Sequence, residues 1–356
     1  MTRFACLAAA LLIASVLALR VHAANGGVIV LYHHVGDATP AATSVTPQVF
    51  ERHLAYLEEH DFAVWGLQRL LDAIYGGEDL PDNVIAITFD DAYQSVYTKA
   101  WPRLRPRGWP FTVFVSSDAI DAAQSPYMNW DQLRELADAG VTIENHSASH
   151  GHLARTRRGE PGRAWKQRVA DDLARAAARI ETEIGRAPSL LAWPYGEDAG
   201  ELWPVAAREH RYSLAQRSGA AGPHHPRHSI PRFPLATGYD DIERLAVAVH
   251  SRPLPVSGHT SHPPMRRGAI NDPKHLELAL IADDGYRAGQ INCFAATGQP
   301  LDTRTRGERL QIDLPEGQPG RNKVNCTAPA ADGSNDYYWY SFQWLQRRAD
   351  GTWPPE

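Results

Sequence analysis

The chain has 356 residues, 43% of them apolar, enough for one large domain and a smaller second one. Its net charge is only −5, its pI is near 6.3, and it has no long basic run. That balance gives no reason to expect nucleic acid as a partner.

The chain opens with Arg3, an apolar stretch from Phe4 to Leu19, and Val21-His22-Ala23. This order predicts a secretory signal over residues 1–24, cleaved so that the mature protein starts near Ala24 or Asn25. The alternative is an uncleaved anchor, but the apolar run is short for a span and small residues follow it. No later segment is apolar enough to cross a bilayer. The expected location is therefore periplasmic or extracellular, with no stable membrane span after cleavage. Cys6 has no small-residue lipobox before it. Removing the signal leaves Cys293 and Cys326, and an oxidising compartment predicts a disulfide between them.

From Gly27 to about Val256, short apolar runs alternate with helical patterns. Strands are predicted at 28–32, 84–89, 111–115, 141–144, 190–193, 212–215 and 230–233. Helices are predicted at 46–60, opened by Thr46-Pro47, and at 130–139 and 164–184. The alternation predicts an α/β domain with a parallel sheet, open or closed into a barrel, and ligand chemistry at the C-terminal strand ends. Residues 25–253 form this domain. Leu254 to Pro264 is rich in Pro, Ser, Gly and His, and 254–274 reads as a linker. In 275–356 alternating segments at 276–280, 309–313 and 337–344 predict a small β-sandwich, an accessory domain suited to carbohydrate binding. On the aromatic segment Tyr337–Trp344, one face carries Tyr337, Trp339 and Ser341, and the other carries Tyr338, Tyr340 and Phe342. One face can bind glycan, or the aromatics can serve as core and domain interface.

Thr88-Phe89-Asp90-Asp91 ends an apolar strand with an acidic pair. Either an Asp caps the next helix or the pair is catalytic. His146-Ser147-Ala148-Ser149-His150 follows another strand. If the chain turns helical there, the two imidazoles share one face and can grip one metal ion, with His152 as a competing ligand. Together the motifs bring carboxylates and imidazoles to one rim. One Asp with two His is a sound catalytic zinc set, and the other Asp can act as a base.

On these residues the chain resembles the NodB-homology polysaccharide deacetylases, carbohydrate esterase family 4, whose first motifs are T-F-D-D and H-[ST]-x-x-H. The resemblance covers about residues 27–250. It implies a distorted (β/α) barrel of the polysaccharide deacetylase type, a divalent metal (Zn²⁺, with Co²⁺, Ni²⁺ or Fe²⁺ as alternatives) on Asp91, His146 and His150, and Asp90 as catalytic base. The third family motif, R-x-P-[FY], reads Ala192-Trp193-Pro194-Tyr195-Gly196 here. The resemblance implies that the Tyr195 backbone N–H helps hold the oxyanion. The motif Arg is missing, and Arg232 is the candidate replacement, with a structural ion pair as the alternative. W-P-Y-G is similar to the poly-β-1,6-N-acetylglucosamine deacetylases, as is Leu31-Tyr32-His33 at the front of the chain. His33 is thereby implied as general acid. His33 and His34 cannot both face the site if their strand stays regular. Trp130, Trp193, Pro194 and Tyr195 are candidates for lining the sugar, or are packed core.

The implied activity is hydrolysis of N-acetyl groups on an N-acetylglucosamine polysaccharide, releasing acetate. An O-acetyl esterase or a peptidoglycan or chitin deacetylase could use the same site. A catalytically weak glycan-binding protein is the alternative outside enzymes.

Overall fold

The computed structural model describes residues 26–262 and 274–355. The signal reading over 1–24 and most of the expected linker lie outside the described residues. The main sheet is built from β1 (Val28–Tyr32), β2 (Val84–Phe89), β3 (Phe111–Val115), β4 (Thr142–Asn145), β5 (Leu190–Ala192), β6 (Tyr212–Leu214) and β7 (Phe233–Pro234). All pair in parallel, in the order β7-β1-β2-β3-β4-β5-β6, and Ala63–Val64 adds to β2. Ile230 bridges to Leu214 in β6, and three residues later β7 pairs with β1. Residues 230–234 therefore join the first and last strands and curl the sheet into a barrel.

Strands β1, β2 and β3 are buried along their whole length, as sheets covered on both faces require. Their side chains alternate between two cores. Val28, Val30 and Tyr32 point to one core with Ile85, Ile87 and Phe89, whereas Ile29, Ala86 and Phe114 point to the other. Helix α1 (Pro47–Glu59) starts where Thr46 accepts a bond from the Val49 N–H, with proline in its first turn. Helix α2 (Leu67–Gly76) ends on Gly77 in the left-handed region. Helix α3 (Trp130–Asp138) carries a capping box between Asn129 and Gln132. The longest helix, α4 (Gly162–Ile184), covers β4 with Trp165, Val169, Leu173, Ala176 and Ile180 among its buried residues. No helix among the described residues is long and apolar enough to cross a membrane.

The C-terminal part is a second, smaller unit of two sheets. One contains β8 (Val256–His262), β9 (His275–Leu280) and β10 (Arg309–Asp313), edged by Thr303–Arg306. In the other, Gly320–Pro329 pairs with Tyr337–Gln346 on one side and Asn292–Ala295 on the other. Leu276, Leu278, Leu310, Ile312, Val324, Phe342 and Trp344 fill the space between them. Cys293 and Cys326, directly opposite each other in the second sheet, form the disulfide. The segment read as a linker is strand β8 where it is described. Arg252–Pro253 already pairs with Tyr338–Trp339, so sandwich structure begins at 252.

Candidate functional site

His33, Asp90, Asp91, His146, His150 and Tyr195 all lie just beyond the C-terminal end of a strand. β2 ends at Phe89, and the Asp90 N–H donates to the Tyr32 carbonyl of β1 at 3.0 Å. Asp91 and Ala92 follow with φ of 71° and 56°, which turns the chain sharply at the rim. β4 ends at Asn145. The next residues are a tight loop, so the helical turn that would place residues four apart on one face does not form. Ser147 (φ 69°) and His150 (φ 50°) are both left-handed. The loop is held by side chains. Asn145 Oδ1 accepts from the Ser147 N–H (2.7 Å), Ser147 Oγ from the His150 N–H (3.0 Å), and Asp172 Oδ1 from the N–H groups of Ala148 (2.9 Å) and Ser149 (3.3 Å). Of seven described non-glycine residues with positive φ, five are Asp91, Ala92, Ser147, His150 and Tyr195. Backbone strain of this kind persists where the surroundings over-determine it, and it clusters at sites of function.

The loops bring Asp91, His146 and His150 together, with one ligand atom from each lying within 4.8 Å of the others. Asp91 Oδ1 is 3.3 Å from His146 Nε2 and 3.0 Å from His150 Nε2. His146 Nδ1 lies 2.8 Å from the Ala192 carbonyl, an acceptor only, so Nδ1 carries the proton and Nε2 turns its lone pair to the cluster. A hard carboxylate oxygen and two imidazole nitrogens at this spacing fit a divalent transition metal. His152 is drawn away from the cluster: its Nδ1 is 2.8 Å from Glu197 Oε2, and Arg155 grips the same carboxylate. Tyr195 stacks on His152 (3.9 Å between ring centres) and lies 4.7 Å from His150.

Asp90 stands beside this cluster, its Oδ2 3.9 Å from His146 Nε2. Arg232, 0% exposed, meets it in a two-pronged bond, both N–O distances being 2.7 Å. The guanidinium is fixed in turn by the Ala215 carbonyl (3.0 Å) and Thr88 Oγ1 (3.3 Å). Burial acts to raise the Asp90 pKa, but Arg232 and then His146 outweigh it and hold the carboxyl below its ordinary value. For Asp91, burial is likewise overcome by the neighbouring imidazoles of His146 and His150, and its pKa falls well below the usual range. His146 shifts upward: burial opposes its charge, and Asp90 and Asp91 prevail.

β1 stops at Tyr32, and His34–Val35 pairs separately with Ser44–Val45. The strand is thus irregular at His33, and the two-face rule does not bind. His33 is buried, and Asp91, Asp90, Arg232 and His146 all act on its charge. Burial dominates and lowers its pKa. His34 packs face to face on Tyr93 at 3.5 Å, and burial, then the neighbouring His33, lowers it to about 4.

Two expected sugar-lining residues are core instead. Trp193 is 0% exposed among Leu153, Trp165 and Leu191, and its Nε1 donates to the His228 carbonyl at 3.0 Å. Trp130 packs with Leu133 and Met128, and its Nε1 donates to Asp121 at 2.7 Å. Both indoles are buried with their Nε1 groups paired, which leaves little ring to offer a sugar. Pro194 is buried as well, whereas Tyr195 is half-exposed. Sequence reasoning missed Glu197, Arg155 and Asp172. Their charge pattern resembles that of any solvated surface, and only folding shows that they brace the two loops.

Residues 77–213 match the family model described as polysaccharide deacetylase. The chain carries a polysaccharide deacetylase domain. The poly-β-1,6-N-acetyl-D-glucosamine N-deacetylase of Escherichia coli (strain K12) is 24% identical over 211 residues, an alignment spanning 49% of this chain and 31% of that protein. The chain therefore covers about a third of that relative's length. Among solved structures, the deacetylase PplD of Streptococcus pyogenes superposes with a TM-score of 0.57 at 17% identity, over 63% of this chain and 98% of that one. IcaB from Ammonifex degensii gives 0.56 at 22% identity, over 63% and 97%. At these identities the structural likeness establishes the fold of the deacetylase domain.

Proposed function

We propose that this protein is a metal-dependent deacetylase that removes N-acetyl groups from N-acetylglucosamine polysaccharide, with the β-1,6-linked polymer as its substrate. The observation that carries this is the Asp91–His146–His150 cluster with Asp90 clamped beside it by Arg232. The Escherichia coli relative, named for that polymer, favours the substrate. The signal reading and the disulfide favour work outside the cytoplasm.

Asp91, His146 and His150 hold the cation. A divalent ion there supplies Lewis acidity, polarising the acetyl oxygen and making water more acidic. Asp90 takes a proton from the water that attacks the acetyl carbon. Arg232 keeps the Asp90 carboxylate ionised and fixes its direction, the role left open by Ala192. The charge that develops on the acetyl oxygen is met by the Tyr195 backbone N–H. The C–N bond then breaks, and His33 protonates the nitrogen so that it leaves as a neutral amine. The donating form is the protonated ring, and because burial lowers the His33 pKa that form is favoured toward lower pH. The products are acetate and a glucosamine unit.

The test is a panel of acetylated glycans assayed for both products. Acetate and new amine in equal amounts from β-1,6-linked N-acetylglucosamine are expected. Acetate without amine, released from O-acetylated xylan alone, would replace this reading with an O-acetyl esterase. In the same series Asp90→Asn should bind metal normally and lose about 10²–10⁴-fold in turnover. Loss of metal instead would exchange the roles of the two Asp residues.

A further inference from the structure

The Tyr195–Gly196 turn is unusual in both residues. Tyr195 has φ 58° and Gly196 φ 65°. A Cβ on Gly196 would lie 2.2 Å from the Gln216 nitrogen, so only glycine fits. Two successive left-handed residues need outside support, and here it comes from the other domain. On the strand Gly320–Pro329, Arg321 Nη1 donates to the Tyr195 carbonyl. On the strand Tyr337–Gln346, Gln343 Nε2 donates to the Gly196 carbonyl at 2.6 Å and to Asp198 Oδ1 at 2.7 Å. Both carbonyls of the turn are thus held from the sandwich.

The sandwich is itself anchored firmly enough to act as a support. Ser341 Oγ donates to the Ser218 carbonyl, and Arg217 Nε donates to the Ser341 carbonyl at 3.1 Å. Trp339 packs edge-on against Phe233, one residue from Arg232. Trp353 Nε1 donates to the Thr156 carbonyl at 3.0 Å. The aromatic strand therefore spends its Trp339 face on the deacetylase domain, leaving Tyr340, Phe342 and Trp344 for the sandwich core.

We propose that Arg321 and Gln343 are positioning residues for the Tyr195–Gly196 turn, so that the C-terminal domain completes the deacetylase site and is not a detachable glycan-binding module. The inference rests on the proposed reaction, in which the Tyr195 N–H meets the oxyanion. If the turn shifts, that N–H shifts with it, and so does the ring packed on His150. Misplacement of about 1 Å at a reacting centre costs on the order of 10²-fold in rate. Substrate binding along the rest of the cleft is untouched.

The experiment uses the full chain, with Arg321→Ala, Arg321→Lys and the near-isosteric Gln343→Met. Trp353→Phe serves as control, since it removes an interface bond, to the Thr156 carbonyl, while leaving both donors to the turn in place. Each variant is measured for kcat and KM on N-acetylglucosamine polymer, and for amide exchange over residues 193–198. Arg321→Ala and Gln343→Met should lose about 10–100-fold in kcat with KM nearly unchanged, and exchange over 193–198 should quicken. Arg321→Lys, which keeps a donor, should recover much of the rate, and Trp353→Phe should match the wild type. Wild-type kcat and unchanged exchange in both donor-removing variants would overturn the inference. An equal fall in Trp353→Phe would also overturn it, by showing a general interface effect. Wild-type protein that releases no acetate would sink the reaction instead, while faster exchange at the turn would still support the support role of Arg321 and Gln343.

Discussion

Arg232 grips Asp90 through both arms of its guanidinium in a place where both groups are buried. A flat five-donor fork is the one side chain that can satisfy both carboxylate oxygens at once. Removing it leaves a buried charge without its partner, which costs about 3–5 kcal/mol. Arg232→Met should therefore lower the unfolding free energy of metal-free protein by that amount in urea titration. A change below about 1 kcal/mol would show that His146 alone suffices for Asp90. At this scale the motifs were legible because T-F-D-D and H-S-x-x-H fix residue types at fixed spacing. The Asp90–Arg232 pair spans 142 positions, and nothing local marks Arg232 apart from the missing motif Arg at Ala192. Trp193 and Trp130 show the opposite failure, since an indole beside a motif looks the same in sequence whether it faces sugar or core. For His33, the proposed acid, the leaving group decides. His33→Ala should lose orders of magnitude on a glycan amide and far less on an activated aryl acetate, whose leaving group needs no proton. Equal losses on both substrates would remove His33 from the acid role.

The loop from His146 to His150 converges without a helix, because Asn145, Ser147 and Asp172 replace helical hydrogen bonds with side-chain ones. Asp172 sits on α4, so the longest helix of the domain braces the loop that carries the two imidazoles proposed as ligands. Partners of this indirect kind are worth about 10–100-fold in metal affinity. Asp172→Ala should weaken Zn²⁺ binding by that factor in a chelator competition titration, and undiminished affinity would show that Ser147 and Asn145 hold the loop alone. Strands β2 and β3 and helix α1 were legible because periodicity and caps agree there. The strand Gly320–Pro329 was not, since its sequence, GRNKVNCTAP, is polar with a proline at its end. Its apolar positions reduce to Val324, Cys326 and Ala328 facing the sandwich core, while Arg321 turns to the other domain and Asn325 accepts from Ser341 of the neighbouring strand. Strands with two partnered faces of different polarity do not alternate cleanly.

Across the whole molecule, the disulfide closes a separation of 33 residues within the sandwich. Chain-entropy bookkeeping gives it about 3–4 kcal/mol. Because that domain supports the Tyr195 turn, reduction should lower the stability of the sandwich and activity together. Acid acts on different groups. Burial lowers His225 to about 3 and His210 to about 4, from an ordinary 6.5. The folded state thus binds fewer protons than the unfolded one between those values, so stability is full above about pH 6.5 and is lost as pH falls toward 4 and 3. The melting temperature of metal-free protein should decline progressively below about pH 6.5, and a flat profile from pH 7 to 4 would contradict the buried, neutral state of both rings. The account as a whole stands on the cluster of Asp91, His146 and His150. Its most direct test is acetate release from N-acetylglucosamine polymer by chelator-stripped protein as Zn²⁺ is added. The account predicts no release without metal and a rise to a plateau at one equivalent per chain, absent in His150→Ala. Full acetate release by protein verified as metal-free would contradict it.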